Sequence, residues 1–147
     1  MSPGRSKLGA SPEQRRKTMA IPAFNTVAWF QIGTDAPDAA RRFYGDMFGW
    51  RFDADPGSAF PGSEGYDLVR YAGADAPSGG LSHEPGAGGA HALFVVMVED
   101  VDAACARAEE CGGKVAAATA ATARGLRFAY LEDPSGNRFG VFTPPVP

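Results

Sequence analysis

Val27-Ala28-Trp29-Phe30-Gln31-Ile32 runs directly into Gly33-Thr34-Asp35-Ala36-Pro37-Asp38-Ala39-Ala40-Arg41-Arg42-Phe43-Tyr44, and the change of period at that junction decides the fold. The first six residues alternate and read as a strand with two usable faces. Ala28, Phe30 and Ile32 share one face; Val27, Trp29 and Gln31 share the other. The next stretch reads as a helix with Asp35 as N-cap, Pro37 in the first turn and Asp38 at the positive end. Ala36, Ala39, Ala40, Phe43 and Met47, with Tyr44 beside them, form its expected buried stripe. Gly49 stops it, and Trp50-Arg51-Phe52 starts a second strand.

The same unit returns about 64 positions later. Ala39-Ala40 falls on Ala103-Ala104, Asp38 on Asp102, Gly49 on Gly113, and Phe30-Gln31-Ile32 on Phe94-Val95-Val96. After each helix the chain offers three more strands. In the first copy these lie near 50–54, 66–72 and 78–83, with turns at Asp55-Pro56-Gly57-Ser58 and Pro61-Gly62-Ser63-Glu64-Gly65. In the second they lie near 114–118, 126–131 and 138–142, with an Ala/Thr loop at 119–124 and the turn Asp133-Pro134-Ser135-Gly136-Asn137. The expected class is α+β: two tandem βαβββ modules, about residues 24–84 and 90–143, joined into a concave, partly open mixed sheet. The helices would cover Ala28/Phe30/Ile32 and Ala92/Phe94/Val96. Elimination leaves Val27/Trp29/Gln31 and His91/Leu93/Val95 to line the hollow, provided the register does not slip by one.

At 147 residues, with 44% hydrophobic content, the chain suits a single globular domain. No apolar run is long enough to span a bilayer, so no membrane is expected. Residues 1–23 carry five basic and one acidic side chain; the remaining nine basic and sixteen acidic leave the body at −7. So acidic a body argues against nucleic acid as a partner, and none is expected. The tail, 1–23, is read as a basic disordered segment, and Met19 offers an alternative start. Cys105 and Cys111 lie in one helix on different faces. Cys105 joins Val101, Ala104 and Ala108 in an apolar stripe, the pattern of a structural thiol in a cytoplasmic protein.

Three stretches resemble the vicinal oxygen chelate superfamily, the glyoxalase/bleomycin-resistance/dioxygenase group. They are Trp29-Phe30-Gln31-Ile32 leading to Phe43-Tyr44 and Phe48-Gly49-Trp50; Val98-Glu99-Asp100-Val101-Asp102-Ala103-Ala104 leading to Gly112-Gly113-Lys114-Val115; and Leu131-Glu132-Asp133-Pro134-Ser135-Gly136-Asn137. The resemblance implies a small-molecule site, and dimers are common in the group. It says little about the reaction, since the group includes lyases, isomerases, epimerases, dioxygenases and plain binders. Its metal enzymes take ligands from the first and last strands of each module. Here those positions fall on Val27 or Trp29, on His91 or Leu93, and on Gly140. The chain therefore resembles the metal-poor branch, with no cofactor expected and with Val27, Trp29, Gln31, His91, Leu93 and Tyr130 as the ligand-binding set. The rival reading is a metal-dependent lyase, isomerase or dioxygenase using His91, His83 and Glu84. For single residues the structural reading stands beside the functional one: Trp29 stacks on a ligand or fills a cavity, His91 contacts a ligand or serves the strand, and Arg41 and Arg42 read as a solvated helix face.

Overall fold

A computed structural model describes residues 23–59, 63–86, 89–118 and 126–144. The expected disordered tail lies outside them except for Ala23, and so do the 119–124 loop and part of the Pro61-Gly62 turn. The first module comprises β1 (Thr26–Thr34), α1 (Pro37–Phe48), β2 (Arg51–Ala54), a 3-10 turn (Pro56–Ser58), β3 (Gly65–Arg70) and β4 (Gly79–His83). The second comprises β5 (His91–Met97), α2 (Val101–Glu110), β6 (Lys114–Ala118), β7 (Arg127–Glu132) and β8 (Arg138–Thr143). The duplicated βαβββ pattern is therefore present, in one eight-stranded sheet ordered β2-β3-β4-β1-β5-β8-β7-β6. The two modules meet at the antiparallel pair β1–β5, and each first strand pairs in parallel with the last strand of its own module.

The register along β1–β5 carries one irregularity that alternation cannot reveal. Val27 pairs with Val96 and Trp29 with Val95, so Ala28 is an extra residue in a β-bulge. Beyond it Trp29 and Gln31 keep the expected face, opposite Val95 and Leu93. Before it, Val27 is turned onto the row of Val96, which packs toward the helix-side core. Val27 is 60% exposed there. Its expected place in the hollow is thus corrected: one inserted residue inverts the face of everything preceding it.

The two helices attach to the sheet by different means. In α2, Asp100 caps the N-terminus by accepting from Ala103 N at 3.0 Å. Val101, Ala104, Cys105 and Ala108 then pack on Val98, Ala129, Leu131 and Val141, as the apolar stripe predicts. Small side chains let this helix approach closely. In α1 no residue is buried. Phe43 and Met47, expected in its buried stripe, are 56% and 59% exposed. Its N-cap is Ala36, not Asp35, and the Ala36 N–H donates to Thr34 Oγ1 at 3.0 Å. Gly49 does end it, in the left-handed conformation.

Two features join α1 to the sheet. Trp50 stacks on Tyr44 at 5.3 Å, and its ring also meets Phe30, Phe48 and Tyr71 at 5.3–5.5 Å. The second feature is polar. Asp67 on β3 is almost wholly buried, and its carboxylate accepts from Arg41 Nε at 2.7 Å. His83 Nε2 lies 3.5 Å from the same oxygen, and Arg41 Nη1 also donates to Asp38 at 2.7 Å. Arg41 is therefore a strap between α1 and β3, not part of a solvated face; Arg42 does remain exposed. The Asp67 hydrogen bond raises the Arg41 pKa above its ordinary value. Asp67→Ala should destabilise the fold by about 2 kcal/mol in a denaturant titration, because a buried carboxylate is removed while Arg41 and His83 lose their shared partner.

Candidate functional site

On the face away from the helices, a cavity of about 260 Å³ is lined by Trp29 (β1), Tyr66 and Leu68 (β3), Val95 (β5), Phe128 (β7) and Phe142 (β8), with Asp55 and Ser58 beside the 3-10 turn. Strands β3 and β7 stand five places apart in the sheet order. In a flat sheet that is roughly 24 Å, at about 4.8 Å per step. Side chains from both line a single small cavity only because the sheet curls, which is the concavity expected of paired modules. Leu93, Val95 and Phe128 form the cluster beneath it, with Trp29, Tyr130 and Phe142 packed against them.

Next to the cavity a chain of hydrogen bonds runs across the module joint, and its direction can be worked out from one end. His91 Nδ1 lies 2.9 Å from the carbonyl oxygen of Gly89. A carbonyl only accepts, so Nδ1 carries the hydrogen and Nε2 keeps the lone pair. Gln31 meets that lone pair at 3.1 Å, which requires its NH2 group there. The same NH2 donates to Tyr130 Oη at 2.6 Å. Gln31 Oε1 is thereby turned toward Tyr66, whose hydroxyl donates to it at 3.3 Å. Tyr66 Oη in turn accepts from Trp29 Nε1 at 3.1 Å. Gln31 is 0% exposed, and each hydrogen of its amide and its oxygen has a partner, as burial demands.

Titration follows from this geometry. Burial pushes the His91 pKa below its ordinary value, against the opposing Gly89 hydrogen bond and the Glu84 charge. Burial also raises the pKa of both tyrosines, Tyr66 and Tyr130, above the ordinary value. All three groups are thus neutral near pH 7. A proton on His91 Nε2 would set two donors face to face with Gln31.

Of the sequence-derived set, Trp29, Gln31, His91, Leu93 and Tyr130 come together on this face; Val27 does not. The metal set of the rival reading is divided. His83 points to the helix side, against Asp67 and Arg41, while His91 points to the hollow. Glu84 accepts from Ser82 Oγ. Among the described residues no group of three His, Cys, Asp or Glu side chains is placed to hold an ion, and the His91 lone pair already faces an amide. The donors as arranged do not fit a divalent cation, which needs three or four protein ligands.

Gly140, which stands where the resemblance puts a carboxylate, is not simply an empty position. The Phe128 ring lies across it, and a Cβ there would fall 2.6 Å from Phe128 Cζ. Gly80 on β4 plays the same part for Tyr66, whose ring would overlap any Cβ. The two pairs occupy equivalent places, since Gly80 pairs with Leu68 and Gly140 with Tyr130. Each module thus brings a large ring over a glycine, setting the position of two cavity walls. Asp55, Ser58, Tyr66, Leu68, Phe128 and Phe142 are among the cavity-lining residues that the sequence-derived set did not include. The glycines were the available signal, but the ring above each comes from a neighbouring strand.

A family model described as the glyoxalase/bleomycin resistance protein/dioxygenase superfamily matches residues 26–141. The chain belongs to this superfamily. Curated relatives named "Putative glyoxylase CFP32", from Mycobacterium tuberculosis and Mycobacterium bovis, are 33% identical over 120 residues, 81% of this chain. The chain spans 44% of the length of those relatives. Among solved structures, methylmalonyl-CoA epimerase from Mycobacterium tuberculosis superposes with a TM-score of 0.57 at 17% identity, covering 86% of this chain and 93% of that one. A hypothetical protein, BH1468 from Bacillus halodurans, gives 0.59 at 12% identity, covering 83% and 96%. At such identities the superpositions speak for the shared superfamily fold.

Two outcomes are expected. Folding stability should fall as the pH drops below about 6.5, because the unfolded chain protonates His91 at its ordinary pKa of 6.5 while the folded chain, with the pKa lowered, resists. The contribution is complete above that value and is lost down to the folded-state pKa. His91→Gln should flatten the slope in urea titrations between pH 7 and 5, and an unchanged slope would refute the assignment. Gly140→Ala should cost about 1–3 kcal/mol, by forcing Phe128 off its bed. Gly140→Ala combined with Phe128→Leu should recover part of that loss in the same measurement.

Proposed function

We propose that this superfamily member binds a small organic molecule on its helix-free face, in an apolar and aromatic cavity, and does so without a metal. The observation that carries the reading is the closure of the polar network. At the place where relatives that use metals need open ligands, His91 Nε2 is met by Gln31 and the remaining amide atoms are engaged by Tyr130 and Tyr66. The adjoining cavity is of a size for a small ring system, and its walls are mostly hydrocarbon with a few polar points, the usual composition of a small-molecule site. Trp29 serves in this reading as both wall and hydrogen-bond donor to the network, with Gln31, Leu93, His91 and Tyr130 behind and beside the ligand.

Pairing of two copies and a cytoplasmic setting belong to the same reading. The outward Phe43, Met47 and Phe48 of α1 support the first. The second is the default for a chain whose two cysteines are free thiols. No helix among the described residues is long and apolar enough to cross a membrane.

The test is a metal analysis of protein purified without chelator, coupled to thermal shifts with a panel of aromatic compounds. The expected outcome is substoichiometric zinc, nickel, manganese and iron, with stabilisation of ~2.7 kcal/mol when a ligand is present at a hundred times its Kd. Stoichiometric metal that is lost with His91→Ala would instead establish the metal-dependent alternative.

A further inference from the structure

The direction of the hydrogen-bond network fixes what it leaves over. A hydroxyl carries one hydrogen beside its acceptor positions. At Tyr130, Gln31 Nε2 donates to the oxygen at 2.6 Å, so the hydroxyl hydrogen points away from Gln31. No acceptor among the described residues takes it. The other donors of the network are engaged: Trp29 Nε1–H on Tyr66, the Tyr66 hydroxyl on Gln31, the Gln31 amide on His91 and Tyr130, and His91 Nδ1–H on Gly89. Burial holds the Tyr130 phenol above its ordinary pKa, so its hydrogen is present at neutral pH. Its place is set as well. Gln31 meets the Tyr66 hydroxyl through Oε1 and the Tyr130 hydroxyl through Nε2. One amide therefore separates Tyr130 Oη from a side chain that walls the cavity. The Tyr130 ring meets the Phe128 ring edge-on at 4.9 Å on the same face.

We propose that the Tyr130 hydroxyl is the donor that orients the ligand, and that the ligand it selects is an aromatic compound bearing an uncharged carbonyl oxygen. The assignment rests on the small-molecule reading of this face and narrows it. In an apolar hollow a single placed polar group fixes which way round a guest sits. A donor facing the hollow is met by water until a guest arrives. A guest that displaces the water without replacing its bond loses affinity, and a carbonyl oxygen replaces it. The single hydrogen also limits the charge of the guest. A carboxylate leaving water needs several donors or a counter-cation. Arg138 stands over the Tyr130 ring, 5.8 Å from its centre, and shares its charge with Glu132 at 3.5 Å. The Glu84 carboxylate acts on both His91 and Tyr130. An anion would therefore gain one hydrogen bond while facing Glu84. An ammonium would bring its own hydrogens to a donor.

The test uses three probes of one heavy-atom outline: acetophenone, α-methylstyrene, in which a CH2 group replaces the carbonyl oxygen, and benzoate. Binding is followed at pH 7 by NMR titration of the unaltered chain and of Tyr130→Phe, which removes the hydroxyl and keeps the ring. Tyr130→Phe should weaken acetophenone about fivefold, the size of one neutral hydrogen bond, and leave α-methylstyrene unchanged. The hydrocarbon also reports any disturbance from the Gln31 hydrogen that this variant leaves unpaired. Benzoate should bind most weakly to the unaltered chain. There the carbon-13 carbonyl resonance of bound acetophenone should lie downfield of its position in an alkane, the mark of an accepted hydrogen bond. An equal effect of Tyr130→Phe on ketone and hydrocarbon, or none on the ketone, overturns the donor assignment and leaves the cavity reading standing. A bound carbonyl resonance at its alkane position does the same. Benzoate that binds as tightly as acetophenone overturns the selection of an uncharged ligand. Binding of none of the three overturns both readings. Should Tyr130→Phe fail to fold, the carbonyl resonance on the unaltered chain decides.

Discussion

An amide with no access to solvent, at the joint between two modules, must find every partner inside the protein. Gln31 sits on β1 where that strand pairs with β5, so its partners come from both halves of the chain: Tyr66 from one, His91 and Tyr130 from the other. An unpaired amide there would cost on the order of 1–3 kcal/mol per group. The network therefore ties the relative placement of the modules to the orientation of the site. Its sense is set remotely, by the Gly89 carbonyl that assigns the hydrogen of His91. From that one acceptor each donor and acceptor follows in turn, out to the indole of Trp29.

The same constraint bears on what the proposed site can hold. A polar cluster whose members satisfy one another has little capacity left for an ion, yet it holds the surrounding rings still. Glycine completes the arrangement. On β4 and β8 the missing side chains let Tyr66 and Phe128 lie flat across the neighbouring strand. The position at which the family resemblance expects a coordinating carboxylate in the second module is thus overlain by the Phe128 ring. Superfamily relatives can share the curled sheet while differing in chemistry because the sheet needs only the alternation of strands. The ligand positions are single residues that it tolerates in many forms.

The two helices show how far duplicated units can diverge under one topology. The second helix carries alanine and cysteine toward the sheet and packs closely on Ala129, Leu131 and Val141. The first meets a layer of rings around Trp50 and a buried carboxylate, and is held by Arg41. Its apolar residues are left on the outside in the single chain. A hydrophobic stripe states which side chains prefer to leave water. It does not state what surface will receive them.

The sequence by itself determined the repeated βαβββ order, the stops at Gly49 and the Asp133–Asn137 turn, the superfamily, and which of several strand residues share the helix-free face, because these follow from local period, turn chemistry and the alternation of a strand. Trp29, Gln31, His91, Leu93 and Tyr130 were legible for that reason. Only the tertiary structure decided the fate of Val27, since the bulge at Ala28 comes from pairing with β5 and reverses one face without leaving a mark in composition. It alone placed Asp67 under Arg41, separated His83 from His91, and set Phe128 over Gly140. Each of these joins residues from different strands or from a strand and a helix. Such contacts depend on register and sheet curl, which are properties of the assembled sheet and not of any single stretch of chain.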